Sequence, residues 1–318
     1  MIGSVIASAI VLGVGPFVSF KVLAVICALP SGIFCAIIYF APESPYYLIK
    51  INKRQAASDV LKSLSKTQNS DNWLKEVETS VQQDEASKLT IRKLFLQTNY
   101  RNALLHVIAV KSLLQFGGYY AITAYLQTIM EESHTSLSAE TSSVIFAVVQ
   151  IPCVLISAYL IDTWGRRPLL MMSSAGCAVA LIGEGTYFYL LQTQNVDLSS
   201  VYFLPTLFLV VFYIMLAVGI GSLPYVISGE LFASNVKKIG GSMFAFYSGL
   251  LSFVNIKVFN PIAEAWGMHA VFWIFAGVCM CGIFYGLFVL PETKGKTFEE
   301  IQRNLGKKEE PVKKETSN

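Results

Sequence analysis

Arg166 and Arg167 occupy a short turn between two long apolar runs, and Glu230 and Glu292 close two others, each beside a residue that halts a helix. Charges placed where apolar sequence meets water do electrostatic rather than covalent work. They end helices, set topology and pair with neighbouring helix ends. This placement lets Arg166 and Arg167 reach Glu230 and Glu292, and lets Asp162 reach Lys237 on a further turn. Glu43, in Pro42-Glu43-Ser44-Pro45, is a carboxylate of the same kind. A second set is made of amides and aromatic rings. Gln115 and Tyr119 share one helical face at i, i+4, and Gln150 lies in the middle of the next apolar run. A glutamine inside lipid needs hydrogen-bond partners, which are either another helix or a polyhydroxylated solute. Gly219, Gly221 and Pro224 interrupt a third run in mid-course. Such breaks are tolerated where a helix lines a cavity, and they suit a hinge.

No nucleophile–base pair, metal cluster or phosphate-binding glycine loop accompanies these residues. No enzyme activity, cofactor or metal is therefore expected. The six cysteines all fall in apolar segments and read as small buried residues, with Cys279 and Cys281 on different helix faces. Hydrophobic residues make up 54% of the 318-residue chain and charged ones only 14%. A soluble domain averages about 25% charged, so the composition is that of a membrane protein with the lipid bilayer as its surroundings. A net charge of +3 gives no reason to expect nucleic acid as a partner.

An α-helix crosses the hydrocarbon core in about 20 apolar residues. Eight such segments can be marked: 1–19, 21–42, 102–130, 142–162, 168–191, 203–229, 239–262 and 269–290. The fold class is therefore an all-α, polytopic membrane bundle. Of the 24 Lys and Arg residues, 21 lie in 43–101, the Arg166-Arg167 turn, the Lys237-Lys238 turn and the tail after Pro291. Only Lys21 lies on an opposite turn, so the basic side is expected to be cytoplasmic. With an even number of spans, both termini are expected there too. Ile51, Ala56, Val60, Leu61 and Leu64 recur at helical spacing. Trp73, Leu74 and Val77 begin a second amphipathic stretch, and Thr90 can cap a third from Ile91 to Phe95. The segment from Lys307 to Asn318 lacks apolar periodicity and is expected to be disordered. Three ionisable residues fall inside spans. Lys257 and Glu184 lie nearer the opposite ends, where side chains can snorkel, whereas Lys111 is about nine residues in from the basic end.

Taken in order, four motifs resemble the sugar-porter branch of the major facilitator superfamily. They are Pro42-Glu43-Ser44-Pro45 with its cytoplasmic insert, Asp162-x-x-Gly165-Arg166-Arg167, Gly219-x-Gly221-x-x-Pro224-Tyr225 with Glu230, and Pro291-Glu292-Thr293-Lys294-Gly295. Loop length and Lys257-x-Phe259 look most like the insect facilitated trehalose and hexose transporters. The resemblance implies two six-helix halves rocking about a midplane site, of which this chain supplies what look like helices five to twelve. Residues 1–42 would be the last two helices of the N-terminal bundle, and 43–101 a cytoplasmic linker. Residues 102–291 would be the C-terminal six-helix bundle, and 292–318 a cytoplasmic, partly disordered tail. An incomplete chain is expected, in which the arginine partners of Glu43 would lie in the missing part.

By resemblance, Glu43, Asp162, Arg166, Arg167, Glu230, Lys237 and Glu292 form a gating latch, and Gly219, Gly221 and Pro224 a hinge. A sugar site is implied at Gln115, Tyr119, Tyr120, Tyr125, Gln150, Tyr225 and Ser252. Leu114 and Tyr120 depart from the family's seventh-helix pattern, Thr163 from its basic turn, and Gly249 from a position that often holds tryptophan. The implied function is a facilitative hexose or trehalose carrier at the plasma membrane. A carrier of another small solute, or a truncated sensor or partner protein that does not transport, are the alternatives.

Overall fold

Apolar sequence running from Phe20 to Phe40 without a charge after Lys21 makes the first long helix, α1 (Phe20–Phe40), and none of its residues is buried within the protein. The computed structural model describes residues 14–64, 74, 75, 77–79, 81, 95–135, 139–194, 196–232 and 234–306. Most of the run expected at 1–19, Trp73 itself, Thr90 to Leu94 and the tail from Lys307 therefore lie outside the described residues. Just before α1, Gly15–Phe17 forms a 3-10 turn that ends in extended Val18 and Ser19.

Pro45, whose missing N–H costs nothing at a helix start, opens α2 (Pro45–Lys50), and α3 (Arg54–Leu64) follows. Leu48, Ala57, Leu61 and Leu74 bury one another, with Ala56 and Val60 against them. The amphipathic periodicity expected after Pro45 thus builds a small core of its own, although Ile51 stays outside it, 40% exposed.

The run expected at 102–130 is not one rod. It is α4 (Thr98–Phe116), α5 (Tyr119–Ala124) and α6 (Leu126–Glu132), broken at Gly117-Gly118 and again at Tyr125. Then come α7 (Ala139–Trp164) and α8 (Arg166–Phe188), the latter continued by a π turn over Tyr189–Thr193. The run at 203–229 is likewise split, into α9 (Leu204–Val218) and α10 (Leu223–Leu231). The bundle closes with α11 (Ser234–Trp266) and α12 (Met268–Phe288). Among the described residues six segments are long and apolar enough to cross a membrane, the α9–α10 pair taken as one.

The core runs through α4 to α12, with α8 packed most extensively against α12 and α9. Many large apolar side chains point outward, among them Phe246, Phe253, Phe284 and Phe288. In water that would be a liability, but on a bilayer-spanning bundle it is the surface that lipid covers. The protein is a multi-pass membrane protein.

A last helix, α13 (Phe298–Gly306), lies where the sequence reading placed a partly disordered tail. Its start is a reciprocal cap: the Thr297 N–H donates to Glu300 Oε2 at 3.0 Å, and the Glu300 N–H donates to Thr297 Oγ1 at 3.4 Å. Ile301 and Leu305 are buried. Asn102 donates to the Leu305 carbonyl and Gln302 to the Leu231 carbonyl, binding α13 to the ends of α4 and α10. The Thr297-x-x-Glu300 spacing was the legible signal for this helix.

Candidate functional site

Two polar regions stand out, one at the basic ends of the helices and one inside the bundle. At the basic end, Gly165 holds φ +94 between α7 and α8, and a Cβ there would lie 2.8 Å from a Glu292 oxygen. Glycine therefore serves the turn twice, by its backbone and by the room it leaves. Glu292 fills that room. Its Oε1 accepts the backbone N–H groups of Arg166, Thr293 and Lys294, and its Oε2 that of Arg167, all at 3.0 Å. The first N–H groups of a helix have no partner within it, and a carboxylate there also meets the positive end of the helix dipole. Burial raises the Glu292 carboxyl, but the N–H bonds from Arg167, Lys294, Arg166 and Thr293 outweigh it and hold it below its ordinary value.

Arg166 reaches Glu230 through Nη2 at 2.5 Å and Nε at 3.3 Å, and donates through Nη1 to the Ile161 carbonyl at 3.0 Å. Thr293 Oγ1 donates to Glu230 at 2.7 Å. The ends of α7, α8, α10 and α12 are thereby joined in one network.

Two expected pairings differ. Arg167 reaches Glu292 only through its backbone; its guanidinium donates to the carbonyls of Gly286 and Leu287, capping the C-terminal end of α12. Asp162 faces Arg166 at 3.8 Å instead of Lys237, because the two are one turn apart on continuous chain while Lys237 points to solvent. Glu43 is exposed and has no hydrogen bond or ion pair with the described residues. Lys294 supplies a contact not anticipated, donating from Nζ to the Thr163 carbonyl.

Inside the bundle, the break between α9 and α10 is patched by serines. Ser173 Oγ donates to the Met215 carbonyl at 2.6 Å and accepts the Ile220 N–H at 2.9 Å. Ser222 Oγ meets Ser157 Oγ at 2.7 Å and the Gly219 carbonyl at 3.0 Å. Backbone groups freed by a helix break in lipid must find such partners. Gly219 is required by contact: a Cβ would lie 2.3 Å from Ser173 Cβ. Pro224 is buried in the first turn of α10, where its ring is tolerated.

Gln115 is fully buried, and its Nε2 donates to the Ser248 carbonyl and Ser252 Oγ, both at 2.6 Å. Asn255 donates to the Gln115 backbone carbonyl. Gln115 Oε1 has no hydrogen-bond partner among the described residues. Tyr125 stacks on Phe259 with centroids 4.6 Å apart and donates to the Ile256 carbonyl at 3.3 Å, so it serves the α11 contact. Tyr119 and Tyr120 meet edge to face at 4.9 Å, and Tyr119 also meets Tyr213. Gln150 is buried on α7, and no hydrogen bond joins it to Gln115 among the described residues. Space is open at Gly249, where a Cβ would meet nothing within 4 Å.

Lys111 is 1% exposed. Its Nζ donates to the Tyr225 hydroxyl at 3.2 Å and lies 4.8, 5.5 and 5.7 Å from the ring centroids of Tyr225, Phe244 and Tyr120. Tyr225 itself is 41% exposed. Glu184 does not snorkel. It is fully buried on the packed face of α8, and neither carboxyl oxygen has a hydrogen-bond partner among the described residues.

The described residues thus form a helical membrane bundle with a broken, serine-patched span and a buried amide and aromatic cluster. The "Sugar (and other) transporter" family profile matches residues 1–305, and the chain belongs to that family. It is 33% identical to sugar transporter ERD6-like 10 of Arabidopsis thaliana over 92% of this chain and 63% of that protein. It is 28% identical to facilitated trehalose transporter Tret1 of Bombyx mori over 92% of this chain and 58% of that one. The fold matches the xylose transporter XylE from E. coli in a partially occluded inward-open conformation. That match has a TM-score of 0.71 and 18% identity, over 93% of this chain and 62% of the other. The chain thus spans about 58–63% of the length of these relatives.

Proposed function

We propose that this chain forms the substrate-binding and gating part of a facilitative sugar carrier that works by alternating access. The carrying observation is the broken α9–α10 span set beside the Gln115 and Tyr225 clusters, in a chain of the sugar transporter family. Broken helices in transporters mark the substrate site and the moving element together. Gln115, Tyr119, Tyr120, Gln150, Tyr225 and Ser252 supply amide, hydroxyl and aromatic faces for a sugar. The hinge is Gly219-x-Gly221 with Pro224. The Arg166–Glu230–Glu292 network holds the basic ends together in one state and loosens in the other.

In this reading 1–42 end the N-terminal bundle, 43–101 link the halves, 102–291 form the C-terminal bundle and 292–318 the tail. The basic side is cytoplasmic and the carrier sits in the plasma membrane.

Counterflow of labelled glucose and trehalose in proteoliposomes tests the reading, beside the same vesicles without protein. Exchange above the empty vesicles is expected, and its absence with correctly inserted protein would sink it. Insertion is scored by labelling a Lys75→Cys variant, which should react from the cytoplasmic side only.

A further inference from the structure

Lys111 puts an ammonium in the middle of a membrane bundle with no carboxylate within 4.0 Å among the described residues. Rings on three sides offset part of the cost, each desolvated cation–π contact contributing up to about 2 kcal/mol. An unpaired buried charge costs several. Of its three N–H donors, the Tyr225 hydroxyl takes one at 3.2 Å. The Tyr120 ring lies 5.7 Å from the same ammonium. A phenol oxygen that accepts from the lysine still has its own O–H to offer. Tyr225 is also the half-open member of the cluster, 41% exposed where Lys111 is 1%. A hydroxyl whose lone pairs are drawn toward an ammonium is a strengthened donor, and it suits an anionic acceptor better than a neutral one.

We propose that Lys111, acting through the Tyr225 hydroxyl, makes this a site for a sugar acid and that the carboxylate is held at Tyr225 with Tyr120 beside it. This rests on the carrier reading above and narrows its substrate class. A carboxylate fits better than a phosphate ester. The box offers one positive charge, whereas a phosphate monoester carries about −1.5 to −2 at neutral pH.

The test is a competition measurement on the purified chain, comparing glucuronate, glucose and glucose 6-phosphate as ligands. Glucuronate is expected to bind about tenfold tighter than glucose or more, tenfold being 1.4 kcal/mol. Lys111→Gln and Tyr225→Phe should each bring the two within about threefold, whereas Lys111→Arg, which keeps the charge, should preserve the preference. A lysine that only fills space would leave the ratio unchanged in every variant. Glucose binding as well as glucuronate in the unaltered protein, or an unchanged ratio in Lys111→Gln, overturns the proposal and leaves the carrier reading standing. Preference for glucose 6-phosphate overturns the single-charge form. Failure of all three ligands to bind a monodisperse protein overturns both.

Discussion

Arg166 Nη2 stands 2.5 Å from Glu230 Oε1, joining the first residue of α8 to the last turn of α10, 64 positions further along the chain. The same arginine gives its backbone N–H to Glu292, so one residue fixes the separation of three helix ends. All of these belong to the bundle from α7 to α12. The network therefore ties the end of α10, the lower half of the broken span, to the start of α8.

Replacing Arg166 with Gln should leave Glu230 with only the Thr293 hydroxyl. Both side chains are mostly buried, at 10% and 26% exposure, so a charged hydrogen bond is lost with a cost of about 2 kcal/mol. The expected outcome is a lower melting temperature in detergent and a wider, more mobile α10 end, read by spin-label distances between α8 and α10. An exchanged pair, Arg166→Glu with Glu230→Arg, should recover part of the loss. Unchanged distances in the single variant would reduce the network to a topological role.

Glu292 predicts an acid-side transition. Its folded pKa is depressed, so its contribution to stability is present above the unfolded value of about 4.3 and is lost as pH falls through the folded value. The melting temperature of the protein should fall as pH drops from about 5 to 3, and Glu292→Gln should flatten part of that fall. The glutamine offers one acceptor where the carboxylate uses two, so the variant should also be less stable at neutral pH. Parallel curves for the two proteins would show that Glu292 does not titrate with folding.

At Gly219 an added methyl has no room, since its carbon would sit 2.3 Å from Ser173 Cβ and 2.8 Å from the Leu169 carbonyl oxygen. Gly219→Ala should push α8 and α9 apart at a cost of about 1–3 kcal/mol. Gly241→Ala, where a Cβ meets nothing within 4 Å, is the matched control and should melt like the parent. Equal melting temperatures for the two variants would remove close packing as the reason for glycine at the break.

Gln115 and Gln150 divide the polar interior. Gln115→Ala deletes two donated hydrogen bonds to α11 and an Oε1 with no partner among the described residues, which in the proposed site would accept from a solute hydroxyl. Sugar affinity should drop about tenfold, in line with one lost bond of about 1.4 kcal/mol, with expression at the surface retained. Gln150→Ala should weaken binding as well. Should titrations give the parent affinity for both variants, neither amide belongs to the sugar site.

Much of this protein was legible in the residues alone because lipid imposes a simple rule. Only helices satisfy their own backbone there, so apolar length marks the spans, and Pro, Gly and charge mark their ends. Arg166, Glu230 and Glu292 could be paired on that basis because each sits where a helix must stop. Sequence spacing could not say which atoms meet. Arg167 spends its guanidinium on the Gly286 and Leu287 carbonyls and Asp162 turns back on Arg166, outcomes that depend on how α8 and α12 approach. The interior was decided by tertiary structure in the same sense. Lys111, Tyr225 and Phe244 are far apart in sequence, and only the packing of α4, α5, α10 and α11 closes three rings around one ammonium. Local periodicity reports which face of a helix is apolar, whereas the partner of a buried charge is chosen by a neighbouring helix that periodicity does not see.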